Sequence, residues 1–426
     1  MQDNTEKLID FIAASPCAYH AVDTVKRRLL AAGYTELSEG TRNVPKEGGR
    51  YFVTRNGSSL IAFRYRQGAD GFHIIAAHTD SPSFRVKMSA ESVGAYTRIE
   101  TEPYGGMIYS TWLDRPLSVA GRVFVRTGEG MEERLVHLDA DLLTIPSVAI
   151  HMNRSANDGY KWNPAFDMLP LFGTADAAGG FFGAIADAAG TTRQNILSHD
   201  LFLYNRERGR RIGYDGSLIL APRLDDLGCV FAATEAFLAA EEAGKIPVLA
   251  LFDNEEVGSE TKQGAASTFL SDTLKSTAGD ALSAMLYRSF MVSADNAHAK
   301  HPNHPELADA DNAPLLGGGV VIKYNANQHY TTDAYSDAFF RTVCERAGVP
   351  TQRYCNRADI RGGSTLGSIS DTRVSVPTVD IGLPQLAMHA ATETAAVCDL
   401  DAMIRALTAF YATETRREDN RTVFVK

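Results

Sequence analysis

Apolar positions along the chain follow two spacings that alternate. Short runs that are mostly apolar, such as 72–77, 248–252 and 290–292, are typical of strands that are buried on both faces. Longer stretches, such as 332–347 and 400–413, repeat apolar residues at helical spacing. Strands that alternate with helices predict a largely parallel sheet covered by helices on both faces, so we expect an α/β fold.

The middle of the chain departs from this alternation. Between residues 89 and 214, short candidate strands are separated by glycine turns, and an irregular run rich in Ala, Gly and Asn follows them. The alternation of strands and helices resumes after this segment. We therefore predict that residues 1–88 and 215–426 form one discontinuous domain, and that residues 89–214 form an inserted β-rich domain.

Composition and charge narrow the classes of partner. The chain has 426 residues and a formal net charge of -10, which argues against nucleic acid or an anionic membrane as the main partner. Its five cysteines have no paired spacing, so neither a disulfide framework nor a thiolate zinc site is indicated, and a reducing cytoplasm fits. We find no run of about 18 apolar residues that predicts a spanning helix. Residues 1–12 lack the pattern of a secretory signal.

Several candidate strands end in residues of types that can bind metal ions, namely His, Asp and Glu. The run 246–252 ends in the acidic segment 253–256, whose last two residues are Glu255 and Glu256. Adjacent carboxylates after a buried strand need a cation or another partner. Other candidate strands lead to the following residues: His78 and Asp80, Asp225 and Asp226, Asp295, and His389. Because the carboxyl ends of parallel strands lie at one edge of a sheet, we expect these side chains to meet at a single site.

The types of these side chains point to catalysis with metal ions. Imidazole and carboxylate ligands without cysteine are typical of a catalytic zinc site. If His78 and His389 are neutral, three ionised ligands face the four positive charges of two divalent ions. These ionised ligands are Asp225, Glu256 and Asp295. One positive charge then remains for a hydroxide, which such ions generate by lowering the pKa of water from about 15.7 to about 7.

The adjacent glutamates are expected to have different roles. If Glu255 and Glu256 both bound metal, no carboxylate at this site would remain to take a proton from water. One of the pair should therefore be the general base. Asp80 lies two residues beyond His78. We expect it to accept a hydrogen bond from the second ring nitrogen of His78 and thereby to fix the tautomer and orientation of the imidazole.

Each of these residues also has a structural interpretation. A lone His78 or His389 is more often a structural histidine, and Asp225 or Asp226 alone is more often a helix N-cap. Five separate structural histidines and helix N-caps, one at each of five strand ends, are a poor explanation of why all five ends carry residues that can bind metal. Spacing leaves open which of the two aspartates bridges the ions, and carboxylate-rich sites accept cobalt or manganese as well as zinc.

Two other patterns point less clearly to a site. His298, His301 and His304 have helix-like spacing, but the prolines among them break any regular helix, so we expect no separate metal site there. The glycine run 317–319 resembles an anion cradle only loosely, because it lacks the phosphate-loop pattern.

Five motifs in chain order resemble a known enzyme family. They are His78-Thr79-Asp80-Ser81-Pro82, Arg223-Leu224-Asp225-Asp226, Asp253-Asn254-Glu255-Glu256-Val257-Gly258-Ser259, Ser293-Ala294-Asp295 and Ala387-Met388-His389. Together they are similar to the aspartyl aminopeptidases, a family of dinuclear zinc exopeptidases. The resemblance runs over nearly the whole chain and includes the insertion.

This resemblance implies a fold, an assembly and an activity. The fold is a three-layer α/β/α zinc-exopeptidase domain interrupted by a β-rich oligomerisation domain, and the assembly is a tetrahedral homododecamer. The implied activity is hydrolysis of the amino-terminal residue of peptides, with Asp or Glu favoured. Two zinc ions per subunit are implied, with these ligands: Asp225 as the bridge, His78 and Asp295 on one ion, and Glu256 and His389 on the other. Glu255 falls at the position of the general base.

Two further residues are assigned by the resemblance. His151 matches a histidine that reaches the active site of a neighbouring subunit and assists substrate or transition-state binding; a buried histidine in a β layer is the alternative. Binding of an acidic side chain needs a cationic group, and Lys323 resembles that group; a solvated lysine is the alternative. Three rival functions stay open: a broad-specificity aminopeptidase, a metal deacylase or carboxypeptidase, and a binding or scaffold protein without catalysis.

Overall fold

The chain divides into two compact units in the computed structural model, which describes residues 3–40, 45–241, 244–418 and 421–425. The first unit comprises Met1–Asp80, Gly209–Met388 and Glu393–Lys426. The second unit comprises Ser81–Arg208 and His389–Thr392. The chain therefore leaves the first unit twice.

The secondary structure follows the two spacings of the sequence. The helices are α1 (Asn4–Ala13), α2 (Ala18–Ala31), α3 (Pro164–Asp167), α4 (Gly180–Ala188), α5 (Leu224–Ala239), α6 (Phe269–Ala278), α7 (Leu282–Tyr287), α8 (Ala334–Arg346), α9 (Leu366–Asp371) and α10 (Val397–Ala412). The strands are β1 (Thr35–Leu37), β2 (Arg50–Arg55), β3 (Ser59–Arg64), β4 (Phe72–His78), β5 (Ser83–Val93), β6 (Tyr96–Tyr104), β7 (Leu117–Thr127), β8 (Gly130–His137), β9 (Leu171–Thr174), β10 (Ile196–Asn205), β11 (Arg210–Ile212), β12 (Leu218–Ala221), β13 (Ile246–Phe252), β14 (Phe290–Ala294), β15 (Ala297–His298), β16 (Val320–Tyr324), β17 (Thr351–Cys355), β18 (Thr378–Gly382), β19 (Pro384–Leu386), β20 (Glu393–Ala396), β21 (Thr415–Glu418) and β22 (Arg421–Phe424).

A nine-stranded sheet forms the centre of the first unit. Its strands run in the order β1-β2-β3-β13-β4-β14-β18-β16-β17. The middle strands β13, β4, β14 and β18 are parallel to one another. On either side of them, β3 and β16 pair in the antiparallel sense. The predicted α/β fold is confirmed, and the antiparallel flanks make the sheet mixed.

Alternate side chains of the central strands face opposite layers of helices. On one face, Leu249 is buried in a core cluster with Phe231 of α5. On the other face, the neighbouring Val248 is buried in a cluster with Phe269 of α6. Burial of each side chain of this size contributes about 1.5–3 kcal/mol. Because these strands are buried on both faces, their sequences are mostly apolar. Helices cover each face of the sheet, so the fold has three layers, α/β/α.

The candidate strand that leads to Asp225 and Asp226 is present as β12 but lies outside the central sheet. It pairs in the antiparallel sense with β11 and β20, in a five-stranded sheet of the order β11-β12-β20-β19-β15. The expectation that all five ligand-bearing strands belong to one parallel sheet is therefore wrong for this strand. Since Ala221 pairs with Glu393, an antiparallel ladder positions the chain just before Asp225.

The second unit is the β-rich part of the chain. It contains a six-stranded sheet of the order β8-β7-β10-β5-β6-β9, in which every pairing is antiparallel. Val119 and Leu201 of this sheet share a separate core with Phe181 of α4. The unit begins before the predicted boundary at 88/89, because β5 pairs wholly within it.

Among the described residues of both units, no helix is both long and apolar enough to cross a membrane.

Candidate metal centre

Three adjacent parallel strands deliver candidate ligands to one edge of the central sheet. His78 is the last residue of β4, and its register partner in β13 is Phe252. Glu255 follows β13 through a tight turn, in which Asn254 has a left-handed backbone with φ 63°. Asp295 follows β14 directly. The common edge predicted for these three strand ends is therefore observed.

The imidazole of His78 is held from both sides. The residue is 1% exposed, and its Nε2 lies 3.6 Å from Oδ1 of Asp225. Its Nδ1 donates to the backbone carbonyl of Asp80 at 3.1 Å, and lies 3.4 Å from a carboxylate oxygen of that residue. Burial disfavours the charged ring, but the surrounding carboxylates, of which Asp226 acts most strongly, raise the pKa of His78 well above its ordinary value.

A buried group of four side chains has the composition of a metal site. His78, Asp225, Asp226 and Asp295 each offer one ligand atom, and these atoms lie within 4.8 Å of one another. Burial and mutual repulsion of the carboxylates raise the pKa values of Asp226 and Asp295. Such a concentration of acid in the interior calls for positive charge. The donor set therefore fits a divalent cation.

The two adjacent aspartates make different contacts. The backbone N–H of Asp225 donates to Oε2 of Glu393 at 3.0 Å, and the Asp225 carboxylate faces the His78 ring. Oδ2 of Asp226 accepts from the backbone N–H of His78 at 3.1 Å. The peptide bond between the two aspartates is cis. Asp226 thus supports the backbone of β4, while Asp225 presents its carboxylate to the ring of His78.

Asp80 orders the turn that carries the two glutamates. Its carboxylate accepts hydrogen bonds from the backbone N–H groups of Glu255, at 3.1 Å, and Glu256, at 3.2 Å. Both glutamates are partly buried, and with His78 they form a second group of candidate ligands. Burial, together with nearby carboxylates such as Asp295, raises the pKa of Glu255 to about 8, although His78 acts in the opposite direction.

Lys323 of β16 contacts the segment that follows β14. It is 2% exposed, and its ammonium group donates to the backbone carbonyls of Asp295, at 2.7 Å, and Asn296, at 3.2 Å. It also lies 3.8 Å from Oδ2 of Asp295 and over the ring of Tyr330. The alternative of a solvated lysine is therefore wrong. The predicted contact with a substrate carboxylate stays a prediction.

Two predicted site residues belong to the second unit. His389 has a positive φ of 66°, and its Nδ1 donates to the carbonyl of Gly106 at 2.8 Å. In a neutral imidazole this leaves Nε2 as the nitrogen with a lone pair. His151 is exposed in a segment that forms no helix or strand, so it is not a buried histidine of a β layer. The roles of both residues stay predictions.

Sequence reasoning missed two residues that support the site. Glu393 is 2% exposed and accepts from the backbone of Asp225. Asn296 donates to the carbonyl of Leu224 at 2.7 Å and to the side chain of Gln385 at 3.0 Å. Asn296 follows Asp295 directly, so its position pointed to the site. Glu393 carried no such signal, because its contact depends on the pairing of β12 with β20.

Buried imidazole and carboxylate groups at the edge of a parallel sheet are the arrangement expected of a catalytic metal site. Comparison with known proteins identifies its family. The family model described as Aminopeptidase I zinc metalloprotease (M18) matches residues 11–411. The chain belongs to this family, and it is therefore a zinc metalloaminopeptidase. The family resemblance drawn from the five motifs is confirmed.

Individual relatives are similar over nearly the whole length. The chain is 45% identical over 411 residues to the probable M18 family aminopeptidase 2 of Clostridium acetobutylicum, covering 92% of this chain and 95% of the relative. It matches a chain in the cryo-EM structure of the Ape4 and Nbr1 complex with a TM-score of 0.92 and 35% identity, covering 96% of this chain and 85% of that one. The S. cerevisiae mApe1 dodecamer matches with a TM-score of 0.85 and 26% identity, covering 96% of each chain.

Proposed function

We propose that this metalloaminopeptidase uses two divalent ions and a glutamate base to remove the amino-terminal residue of peptides, with Asp and Glu favoured. The observation that carries the proposal is the buried group of His78, Asp225, Asp226 and Asp295, whose ligand atoms lie within 4.8 Å of one another. Membership of a zinc metalloprotease family makes zinc the first choice of ion, and cobalt or manganese suits the same ligands.

We assign the ligands as the motifs indicate. Asp225 would be shared by the two ions, His78 and Asp295 would hold one of them, and Glu256 and His389 would hold the other. When bound, the ions supply a water of lowered pKa and polarise the scissile carbonyl. Support for Asp225 over Asp226 as the bridge comes from their contacts, because one Asp226 oxygen is engaged by the backbone of His78.

Glu255 is the proposed general base. Its carboxylate takes a proton from the attacking water and delivers it to the leaving amine. Two features support this role: Asp80 anchors the backbone of Glu255, and Glu255 offers a ligand atom close to those of His78 and Glu256. The same hydrogen bonds from Asp80 hold Glu256 beside it, so one residue sets the orientation of both glutamates.

The preference for acidic residues is assigned to Lys323. Its buried ammonium group lies 3.8 Å from Oδ2 of Asp295, at the edge of the sheet where the substrate is proposed to bind. Because burial reduces screening, its positive charge acts on a nearby substrate carboxylate more strongly than a solvated lysine does.

The proposed assembly is a homododecamer in which His151 acts on the active site of a neighbouring subunit. Support comes from the S. cerevisiae mApe1 dodecamer, which this chain resembles. It also comes from the exposed apolar side chains that adjoin His151 in the sequence, namely Val148, Ile150 and Met152. Side chains of this kind are often buried at subunit contacts.

The proposed partners are peptides with a free amino terminus, rather than nucleic acid or membrane. The proposed compartment is the cytoplasm, since all five cysteines are free thiols.

A panel of aminoacyl substrates tests this function. The metal-replete enzyme is assayed with matched Asp, Glu, Leu and Lys substrates, and with a peptide in free and amino-acetylated forms. We expect the acidic substrates to exceed Leu by about 10- to 100-fold in kcat/KM, the effect of one charge-assisted hydrogen bond. A preference for Leu or Lys would contradict the specificity. Equal cleavage of the acetylated peptide would indicate a deacylase or carboxypeptidase, and activity that survives chelation would exclude the metal mechanism.

A further inference from the structure

A cavity lies at the edge of the central sheet opposite to the candidate metal centre. It is an open space of about 530 Å³ in the first unit. Its lining residues are Asp70, His73, Lys245, Tyr287, Arg288, Ser289, Phe290, Tyr335, Phe339, Thr415, Arg416 and Thr422. Three of the strands it adjoins, β4, β13 and β14, begin at this edge. The carboxyl ends of the same strands carry the metal centre. We call this space the basic cavity.

Positive charge predominates in the basic cavity. Lys245, Arg288 and Arg416 contribute three cations, and Asp70 is the one carboxylate among the lining residues that the structure describes. The Lys245 side chain is 5% exposed, and its ammonium group lies 2.7 Å from Asp70, which is itself 51% exposed. The described residues of the lining therefore carry a formal net charge of about +2, in a protein whose formal net charge is -10. A concave surface of this sign concentrates small anions.

His73 adds a hydrogen-bond acceptor to this lining. The residue is 1% exposed, and its ring lies 4.6 Å from that of Phe410. Burial, and then the charge of Lys245, lowers the pKa of His73 to about 3, so the ring is neutral at ordinary pH. A backbone hydrogen bond to Tyr411 occupies one nitrogen, while Nδ1 has no partner among the described residues. In the neutral ring Nδ1 is therefore an acceptor that lacks a donor.

We propose that the basic cavity binds an oxyanion that also carries a hydroxyl group, of which hydrogen phosphate is the simplest. Lys245, Arg288 and Arg416 neutralise the anion, and its O–H donates to Nδ1 of His73 directly or through one water. Sulfate at neutral pH has the same shape but no hydroxyl, so it leaves Nδ1 without a donor.

The lining of the basic cavity also contains aromatic side chains. Tyr335, Phe290 and Phe339 line it together with the cations. A hydroxyl-bearing phosphate ester would place its carbon chain against these rings, so an ester is tested beside free phosphate.

Calorimetric titration of the metal-replete enzyme tests the proposal. The probes are inorganic phosphate, glycerol phosphate and sulfate. We expect wild-type protein to bind phosphate about tenfold more tightly than sulfate, as one additional hydrogen bond allows. Tighter binding of glycerol phosphate would identify an ester as the ligand, whereas tighter binding of inorganic phosphate would identify the free ion.

Three variants separate the groups. Lys245→Met and Arg288→Gln should weaken all probes about tenfold or more, and His73→Phe should remove the preference for phosphate over sulfate. Lys275→Met is the matched control, because Lys275 is exposed on α6 and lies outside the lining. Arg288 is exposed, so Arg288→Gln remains informative if loss of the buried Lys245 prevents folding.

Two results would overturn the proposal. Equal phosphate affinity in wild type and both cation variants would place the anion elsewhere, for example on the metal ions. Equal affinity of the wild type for sulfate and phosphate would show that the hydroxyl group of the anion is not recognised.

Discussion

The backbone N–H of Glu255 donates a hydrogen bond of 3.1 Å to the carboxylate of Asp80. The same carboxylate accepts from Glu256 at 3.2 Å, and the backbone carbonyl of Asp80 accepts from Nδ1 of His78 at 3.1 Å. One residue thus orients a proposed metal ligand on β4 and the proposed base after β13. Only the first of these two roles of Asp80 was predictable from the sequence.

Asp80→Asn should weaken catalysis without unfolding the protein. Asparagine keeps one acceptor oxygen, but its NH₂ group would face one of the two glutamate N–H groups, so the turn loses one hydrogen bond. We expect a loss of about 10- to 100-fold in metal affinity or kcat/KM, as for other residues that orient metal ligands. Both are measured on protein titrated with zinc. The control is Asp280→Asn, at an exposed position, and wild-type values for both quantities in Asp80→Asn would contradict the role.

Lys323→Met should lower both stability and acidic preference. Methionine fills much of the same volume but leaves the carbonyls of Asp295 and Asn296 without their donor, at a cost of roughly 1–3 kcal/mol for each carbonyl. Urea unfolding measures the stability, and the ratio of kcat/KM for Asp and Leu substrates measures the preference. An unchanged ratio in the folded variant would show that Lys323 supports the Asp295 segment and does not select substrates.

Much of the metal centre was predictable from sequence, because the strands that carry it are simple. β4, β13 and β14 are buried on both faces and mostly apolar, and a histidine or an acidic residue stands at the end of each strand or directly after it. Parallel strands bring such ends together whatever their separation in the chain. The proximity of His78 and Asp295 followed from this rule alone.

Other contacts depend on tertiary structure that no local pattern reveals. β12 reads as one more strand of the parallel sheet, yet it pairs with β20, whose Glu393 supports Asp225. The glycine run 317–319 resembled an anion cradle loosely, and its N–H groups bind the carboxylate of Asp399 on α10, at 2.7 and 2.8 Å. The sequence shows the donors of such a cradle, but it does not show that the protein supplies the anion.

Mixed oligomers test the role assigned to His151. His151→Ala and Glu255→Gln should each be nearly inactive, because each lacks one proposed group of the site. If His151 acts on a neighbouring subunit, mixing the two after dissociation and reassembly creates sites with both groups intact, and activity should reappear. The control mixes Glu255→Gln with Asp80→Asn. Both substitutions lie in the first unit of the chain, so no site in this mixture is expected to have both groups intact. No recovery in the first mixture would contradict action between subunits.

The neutral state of His73 predicts a specific pH dependence of stability. Its pKa is about 3 in the folded protein and 6.5 ordinarily, so below about pH 6.5 the unfolded chain binds a proton that the folded protein excludes. This contribution to stability is complete above pH 6.5 and is lost as the pH falls towards 3, by up to about 1.4 kcal/mol per pH unit. Urea unfolding between about pH 7 and pH 4 should show a shallower decline for His73→Phe than for wild type. Parallel declines would contradict the neutral ring.

The most direct test of the mechanism is the turnover of Glu255→Gln with its metal content measured in the same sample. Glutamine preserves the size of the side chain and the backbone N–H that Asp80 accepts, but it cannot take a proton from water. We predict unchanged metal content and a loss of kcat of about 10²- to 10⁴-fold, the usual contribution of a general base, while the exposed Glu260→Gln remains active. Wild-type turnover in metal-loaded Glu255→Gln would contradict the account.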